Sequence, residues 1–386
     1  MQQTPNILFL SSWYPNKYRP LLGIFVKRQA EAVAKLCNVS VIYISSGEKS
    51  ELVETTENGV YTIKGYFKKV HNHIPLISHY QRTSRYFAAW RKALTLYKNT
   101  KGKPDLIHSN IVYPVSIITR NLSKKWNVPY VISEHWSGYF PQDGRYHGFM
   151  RSLITTRAVQ GASAIITVSE ALKVSMLNIG LANTYFVISN IVDTSTFNIP
   201  ETSISKEDFT FIHVSSLVEM EKNVSGIIRA FNNINKQFPE SKLLIVGDGD
   251  NKPALEKLVQ ERNVGNAVHF AGEKRNEEVA RLMQDSDAFI LFSNFETQGV
   301  ALLEALCCGI PGIATTTGGP ADYINEVNGI LIEPGNERQL EDAMIKMIEN
   351  RNSYKPLIVR NSVVQMVNEK IVAQKIMDVY NSVLTK

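Results

Sequence analysis

Short apolar runs ending in small or polar residues alternate with amphipathic segments along nearly the whole chain. "NILFLSS" at 6–12 is followed by "GIFVKRQAEAVAKL" at 23–36, whose apolar residues recur at helical spacing, and then by "VSVIYIS" at 39–45. "DLIHSN" (105–110), "PYVISEH" (129–135), "SAIITVSE" (163–170) and "TYFVISN" (184–190) continue the series. Strands that alternate with helices are the pattern of a parallel α/β architecture.

The polar, Ser- and Thr-rich run "DTSTFNIPETSISKED" at 193–208 interrupts the series and reads as an interdomain linker. A second series starts at "FTFIHVSS" (209–216) and runs through "KLLIVGDG" (242–249), "NAVHFAG" (266–272), "DAFILFS" (287–293), "IPGIATT" (310–316) and "NGILIEP" (328–334). Residues 335–386 read as helices. A length of 386 residues is long for one hydrophobic core, so two domains are expected. The expected division is 1–195, 196–370, and a final helix over 371–386 that returns to the first domain. Charge divides in the same place. Residues 1–200 hold 23 Lys and Arg against 10 Asp and Glu, whereas residues 201–386 hold 19 against 26.

Ligands of open parallel sheets sit beyond the carboxyl ends of the strands. Here those ends are small or polar: Ser11-Ser12, Ser215-Ser216, Gly247-Asp248-Gly249, Ser293-Asn294 and Thr315-Thr316. Two such sheets facing each other form a cleft lined from both sides. The three cysteines show no metal-ligand spacing and point to a reducing compartment. The N-terminus lacks the basic and apolar regions of a signal peptide, and no window is apolar enough to span a membrane.

The segment "NFETQGVALLEALCCGIPG" (294–312) carries the densest chemistry. Glu296 falls in the loop after a strand, and a helix is expected from about Gly299 to Cys308, stopped by Gly309 and Pro311. Gly299 admits a ligand close to the backbone, and the free N–H groups of Val300 and Ala301 suit a phosphate. Carboxylates repel phosphate but accept hydrogen bonds from hydroxyls. Glu296 and Glu304, on either side of an anion site, therefore fit a sugar–diphosphate–nucleoside. A cap-region acid and a surface acid are the alternative.

"FETQGVALLEALCCGIPGIATTTGGPADYI" resembles the E-x7-E region of the retaining glycosyltransferases of family 4, which have two facing Rossmann-like domains (the GT-B fold). "WYPNKYRPLLGIFVKRQAEAVAKL" is similar to the family's N-terminal glycine loop and first helix. "DLIHSNIVYPVSIITRNLSKKWNVPYVISEHWS" is similar to the stretch leading to its active-site histidine. "ITVSEALK", "SNIVDTSTF", "HVSSLVEMEKNVSGIIRAF" and "LLIVGDGDNKPALEKLV" follow in family order, so the resemblance covers essentially the whole chain. It implies that Glu304 binds the donor ribose, that Glu296 contacts the transferred sugar, and that Gly299, Val300 and Ala301 hold the distal phosphate. It further implies that Lys222 neutralises the diphosphate, that Gly23 lets the first domain approach it, and that His135 stands near the sugar. Gly247 and Ser216 belong to the same donor site, and the loop from Gly272 to Lys274 would hold the base. No cofactor and no metal are expected, because the lysine and the helix start carry the charge that develops on the leaving group. The family arginine before the lysine is absent, since Ser215-Ser216-Leu217 stands there. Thr297 stands where the family has a glycine, and Asn190-Ile191 where it has asparagine-glycine. These departures bear on donor identity more than on reaction type.

Residues 59–103 carry ten Lys or Arg and no acid, interleaved with Tyr66, Phe67, Ile74, Leu76, Ile77, Tyr80, Tyr86, Phe87 and Trp90. Apolar rings among cations suit an anionic membrane surface, with Lys68, Lys69, Arg82 and Arg85 as contacts; a solvated helix face is the alternative. Nothing resembles a nucleic-acid motif. The resemblance implies a cytoplasmic, retaining, metal-independent hexosyltransferase. It would move a sugar from a nucleotide-diphosphate sugar to a glycan or lipid-linked acceptor in cell-surface polysaccharide synthesis, peripheral to the inner face of the plasma membrane. A small soluble acceptor, a sugar-nucleotide epimerase or phosphorylase, and a non-catalytic nucleotide-sugar binder are the alternatives.

Overall fold

The computed structural model describes residues 4–70, 73–200 and 208–385. The first sheet comprises β1 (Asn6–Ser11), β2 (Asn38–Gly47), β3 (Glu51–Glu57), β4 (Val60–Lys68), β5 (Leu106–Asn110), β6 (Tyr130–Glu134), β7 (Ala164–Thr167) and β8 (Tyr185–Val187). Their order is β3-β4-β2-β1-β5-β6-β7-β8. All neighbours are parallel except β3, which pairs antiparallel with β4 at one edge. The second sheet comprises β9 (Thr210–Val214), β10 (Lys242–Val246), β11 (Val268–Gly272), β12 (Ala288–Leu291), β13 (Gly312–Thr315) and β14 (Gly329–Ile332), in the order β11-β10-β9-β12-β13-β14. The pair is two Rossmann-like layers.

Strand order reverses between β1 and β5 in one sheet and between β9 and β12 in the other. At such a switch point consecutive crossovers leave toward opposite faces, and the loops after the two central strands open a crevice. This places the loop after β9, with Lys222, beside the loop after β12, with Glu296. Opposite them lie the loop after β1, which leads to Gly23, and the loop after β6, which carries His135.

Buried apolar residues line both faces of each sheet, as continuous apolar strands require. The last helix, Glu369–Leu384, leaves the second domain and packs on the first. Its Tyr380 hydroxyl lies 2.5 Å from His108 Nδ1, and Ser133 Oγ lies 2.7 Å from Nε2 of the same ring. His108 is fully buried, and burial drives its pKa down to about 3. Neutral imidazole here joins a strand of one domain to a helix that follows the other.

Two readings of the sequence change. The run 193–208 is not a free linker throughout. Phe197 is fully buried in the second core, and the Asp193 carboxylate accepts from the backbone of Ser195 and Thr196, so the chain folds onto the second domain at once. Residues 201–207 of that run lie outside the described residues. The basic stretch 59–103 is not one surface either. It forms β4 and a 27-residue helix, Pro75–Lys101. Tyr66, Phe67 and Trp90 are buried, while Ile74, Leu76, Ile77 and Tyr80 are exposed. Consecutive strand residues face opposite sides, so the burial of both Tyr66 and Phe67 means that β4 is covered on both faces.

Candidate functional site

The loop "NFETQG" after β12 is rigid for identifiable reasons. Gly299 adopts φ 76 and caps the helix Val300–Cys307 without any side-chain cap. A Cβ there would stand 2.9 Å from the Tyr323 hydroxyl, so glycine is needed for space as well as for conformation. Gly318 lies so close beneath this loop that a Cβ would meet the Glu296 carbonyl oxygen at 1.6 Å. The N–H groups of Val300 and Ala301 have no partner among the described residues. A helix start of this kind carries partial positive charge.

Glu296 Oε2 accepts from Lys222 Nζ at 2.5 Å, and both side chains are largely buried. They line a cavity of about 280 Å³ together with Trp13, Phe25, His135, Trp136, Arg145 and Thr297. His135 is 6% exposed, and neither ring nitrogen has a hydrogen-bond partner among the described residues. Its ring packs on Phe25 at 4.3 Å. Burial lowers its pKa to about 3, so the imidazole is neutral at pH 7 and keeps one donor and one acceptor for a ligand.

Glu304 lies on the following turns of the same helix, about 6 Å beyond its start at 1.5 Å per residue. Its carboxylate faces Arg28 of the helix Ile24–Ala34 at 3.6 Å, across the domain interface. Burial raises the carboxyl to about 7, against the opposing pull of Arg28. Further contacts among the described residues join the domains. Gln298 accepts from the Asn190 N–H at 3.0 Å and donates to Ser189 Oγ at 2.5 Å. Arg145 donates to Glu221 Oε1 at 3.0 Å. Asp322 accepts from the Glu170 N–H at 2.8 Å.

Two family profiles match the chain. The profile of the family Glycosyl transferases group 1 matches residues 195–361, and that of Glycosyltransferase Family 4 matches residues 22–196. The chain belongs to the group 1 glycosyltransferases, with the GT-B fold. This glycosyltransferase is 34% identical over 178 residues to an N-acetyl-alpha-D-glucosaminyl L-malate synthase of Bacillus anthracis, covering 45% of this chain and 46% of that protein. The match thus spans about half the length of that relative. It is 24% identical over 379 residues to TuaC of Bacillus subtilis, described as a teichuronic acid biosynthesis glycosyltransferase, covering 91% of this chain and 90% of that one. In fold it is similar to a sucrose-phosphate synthase from Thermosynechococcus elongatus, with TM-score 0.79 and 18% identity over 99% of both chains. It is likewise similar to Anabaena HepE in complex with UDP, with TM-score 0.75 and 20% identity over 98% of this chain and 100% of that one.

The expected site residues fall into groups. His135, Lys222 and Glu296 share the cavity. Gly299, Val300 and Ala301 adjoin it through the loop that carries Glu296 and Thr297. Gly23 caps the helix Ile24–Ala34 at φ 65, and a Cβ there would meet the Trp13 carbonyl at 2.5 Å. It thereby holds the loop after β1 tight against the helix start. Gly247 has a packing reason of its own, because a Cβ would lie 1.8 Å from the Ser215 carbonyl oxygen. Ser216 is exposed beside it, while Gly272 and Lys274, at the end of β11, do not line the cavity.

Sequence reasoning missed Glu134. This fully buried carboxylate accepts from the N–H groups of Val112 (2.9 Å), His135 (2.7 Å) and Trp136 (2.9 Å) and from the Tyr139 hydroxyl (3.1 Å). Burial raises its pKa in spite of these bonds. Glu134 ties the loop after β5 to the loop after β6 and so fixes where His135 stands. An acid directly before the histidine, at the end of a largely apolar strand, was the available signal. Arg28 and Arg145 were also missed.

Of the membrane-patch residues, Lys68, Lys69 and Arg82 are exposed. Arg85 instead donates to the carbonyls of Lys68 (2.9 Å) and Lys69 (3.2 Å), closing the end of β4. Among the described residues none of the ten cations of 59–103 forms a salt bridge. No helix of the described residues is long and apolar enough to cross a membrane.

Proposed function

We propose that this glycosyltransferase transfers a sugar, with retention, from a nucleoside-diphosphate sugar to a hydroxyl of a glycan or lipid-linked acceptor. The observation that carries the reading is the convergence of His135, Lys222 and Glu296 on one cavity beside an uncapped helix start. Glu304 takes the ribose hydroxyls, which requires Arg28 to release or share its carboxylate. The diphosphate lies against the N–H groups of Val300 and Ala301, and the sugar reaches Glu296 and His135. As the glycosidic bond breaks, charge builds on the diphosphate. Lys222 and the helix start face it from fixed positions, so they stabilise the transition state more than the ground state. These groups can carry the charge without a divalent ion.

Of the relatives named above, one is an N-acetyl-alpha-D-glucosaminyl L-malate synthase, one is described as a teichuronic acid biosynthesis glycosyltransferase, and HepE forms a complex with UDP. A UDP-sugar donor and a role in cell-surface glycan synthesis are therefore our reading for this chain. The exposed group Ile74, Leu76, Ile77 and Tyr80, with Lys68, Lys69 and Arg82, supports peripheral contact with an anionic membrane on the cytoplasmic side. The test is incubation with UDP- and GDP-sugars without acceptor, followed by the anomeric configuration of the sugar released. Release with retained configuration is expected. Inverted configuration overturns the mechanism, and absence of any release together with absence of nucleotide binding overturns the enzyme reading.

A further inference from the structure

Arg151, in the first turn of the helix Phe149–Gln160, is held in an unusual way. Its guanidinium carbon lies 5.2 Å from the centre of the Tyr113 ring and 5.4 Å from that of Trp136. One Nη1–H donates to the carbonyl of Arg145 at 2.8 Å. The rest of the fork has no acceptor, and no carboxylate pairs with it among the described residues. The two arginines of this corner are therefore in different states. Arg145 lines the cavity but is bonded to Asp143 and Glu221, whereas Arg151 keeps its charge uncompensated. Aromatic rings favour a flat cation and hold its plane, so little rotamer freedom remains to be lost when a ligand binds.

The surroundings tie this cation to the reaction. Trp136 and Arg145, which both touch Arg151, line the cavity of His135, Lys222 and Glu296. Glu134 holds Trp136 and the loop leading to Tyr113 through the N–H groups of Trp136 and Val112. Ile111, in that same loop, adopts φ 64, a conformation that a β-branched residue takes only under constraint. Every residue named here, apart from Glu221, Lys222 and Glu296, belongs to the first domain, opposite the E-x7-E helix. His135 lines the same cavity, and both of its buried ring nitrogens lack a partner among the described residues.

We infer that Arg151, clamped between Tyr113 and Trp136, is the acceptor subsite for an oxyanion: the acceptor carries a phosphate or carboxylate near the hydroxyl that receives the sugar. A guanidinium fork matches either group with paired, charge-assisted hydrogen bonds. The inference rests on the glycosyltransferase reading of the cavity and adds the chemical class of its second substrate. Phe149 and Met150, exposed directly before Arg151, provide an apolar surface that a lipid-borne anion would use and a soluble one would not.

The experiment is calorimetric titration of the full chain with glycerol 3-phosphate, glycerate, dodecyl phosphate and neutral glycerol, each with and without UDP. At least one anion is expected to bind wild-type protein where glycerol does not. Arg151→Gln should weaken it by roughly tenfold or more, the worth of one charged hydrogen bond. Arg151→Lys, which keeps the charge but not the planar fork, should fall between. UDP affinity and thermal midpoint should be unchanged in both variants. A clear preference for dodecyl phosphate assigns the anion to a lipid, and equal binding of glycerol 3-phosphate assigns it to a soluble acceptor; either outcome supports the subsite. If no anion binds better than glycerol, or Arg151→Gln binds the anions as wild type does, the inference fails. Failure of UDP alone to bind overturns the donor reading and leaves the anion titrations to decide the subsite.

Discussion

Replacing Glu304 by Gln should remove a definite piece of the pH dependence of stability. In the folded protein burial holds this carboxyl at about 7, against an ordinary value of 4.5. The folded state thus binds a proton that the unfolded state releases between these two values. Stability must fall as pH rises through the window, and the loss is complete above about pH 7. At about 1.4 kcal/mol per pH unit the shift corresponds to roughly 3 kcal/mol, an upper bound because Arg28 at 3.6 Å can reorient toward the charge. Glutamine keeps the shape and both polar atoms but does not titrate. The assay is thermal unfolding of wild type and Glu304→Gln from pH 4 to 8.5. The difference wild type minus variant cancels every other titrating group. It should decline with rising pH between about 4.5 and 7 and then stay flat. At roughly 2–4 °C per kcal/mol for a domain of 150–250 residues, the swing is several degrees. A difference that does not change with pH, or that rises with it, refutes the argument that desolvation outweighs Arg28 at this site.

Three other outcomes are expected. Glu304→Ala should weaken UDP by roughly 1.5–3 kcal/mol for each charged hydrogen bond lost, while Glu296→Ala should spare UDP and weaken the UDP-sugar; equal losses for both ligands in calorimetry would sink this division of labour. Lys222→Ala should lower transfer about a hundredfold or more with circular dichroism unchanged, because no arginine stands at Ser216 to share the charge, and turnover above a tenth of wild type would mean another cation serves. Lys68→Ser, Lys69→Ser and Arg82→Ser together should reduce sedimentation with anionic vesicles at low salt, by about 1 kcal/mol per cation, without altering UDP binding; unchanged sedimentation would identify the patch as a solvated face.

The two βα series, their break near residue 193 and the helix after Gly299 were legible in the sequence. The reason is local. A strand buried on both faces must be apolar throughout, an amphipathic helix must repeat its apolar residues every three or four positions, and a backbone at φ 76 needs glycine. The strands β3 and β4 escaped notice for the complementary reason. "ELVETTE" is a largely exposed edge strand and "VYTIKGYFK" carries lysines, so neither shows an apolar run. Phe197 was hidden in a polar stretch because a single buried ring has no period.

What no window of the sequence contains is the pairing across the cleft. Arg28 with Glu304, Arg145 with Glu221, and Gln298 with Ser189 and Asn190 join residues of different domains. The same holds for the neutral state of His135, which depends on its burial against Phe25, and for the clamp of Tyr113 and Trp136 on Arg151. Hydrophobic period and backbone conformation act between near neighbours along the chain, so the sequence by itself determined the layers and the loops that bear the site. Charge, desolvation and ring contact act between neighbours in space, and only the packing of the loops within each domain and the docking of the two sheets decided which side chains those are.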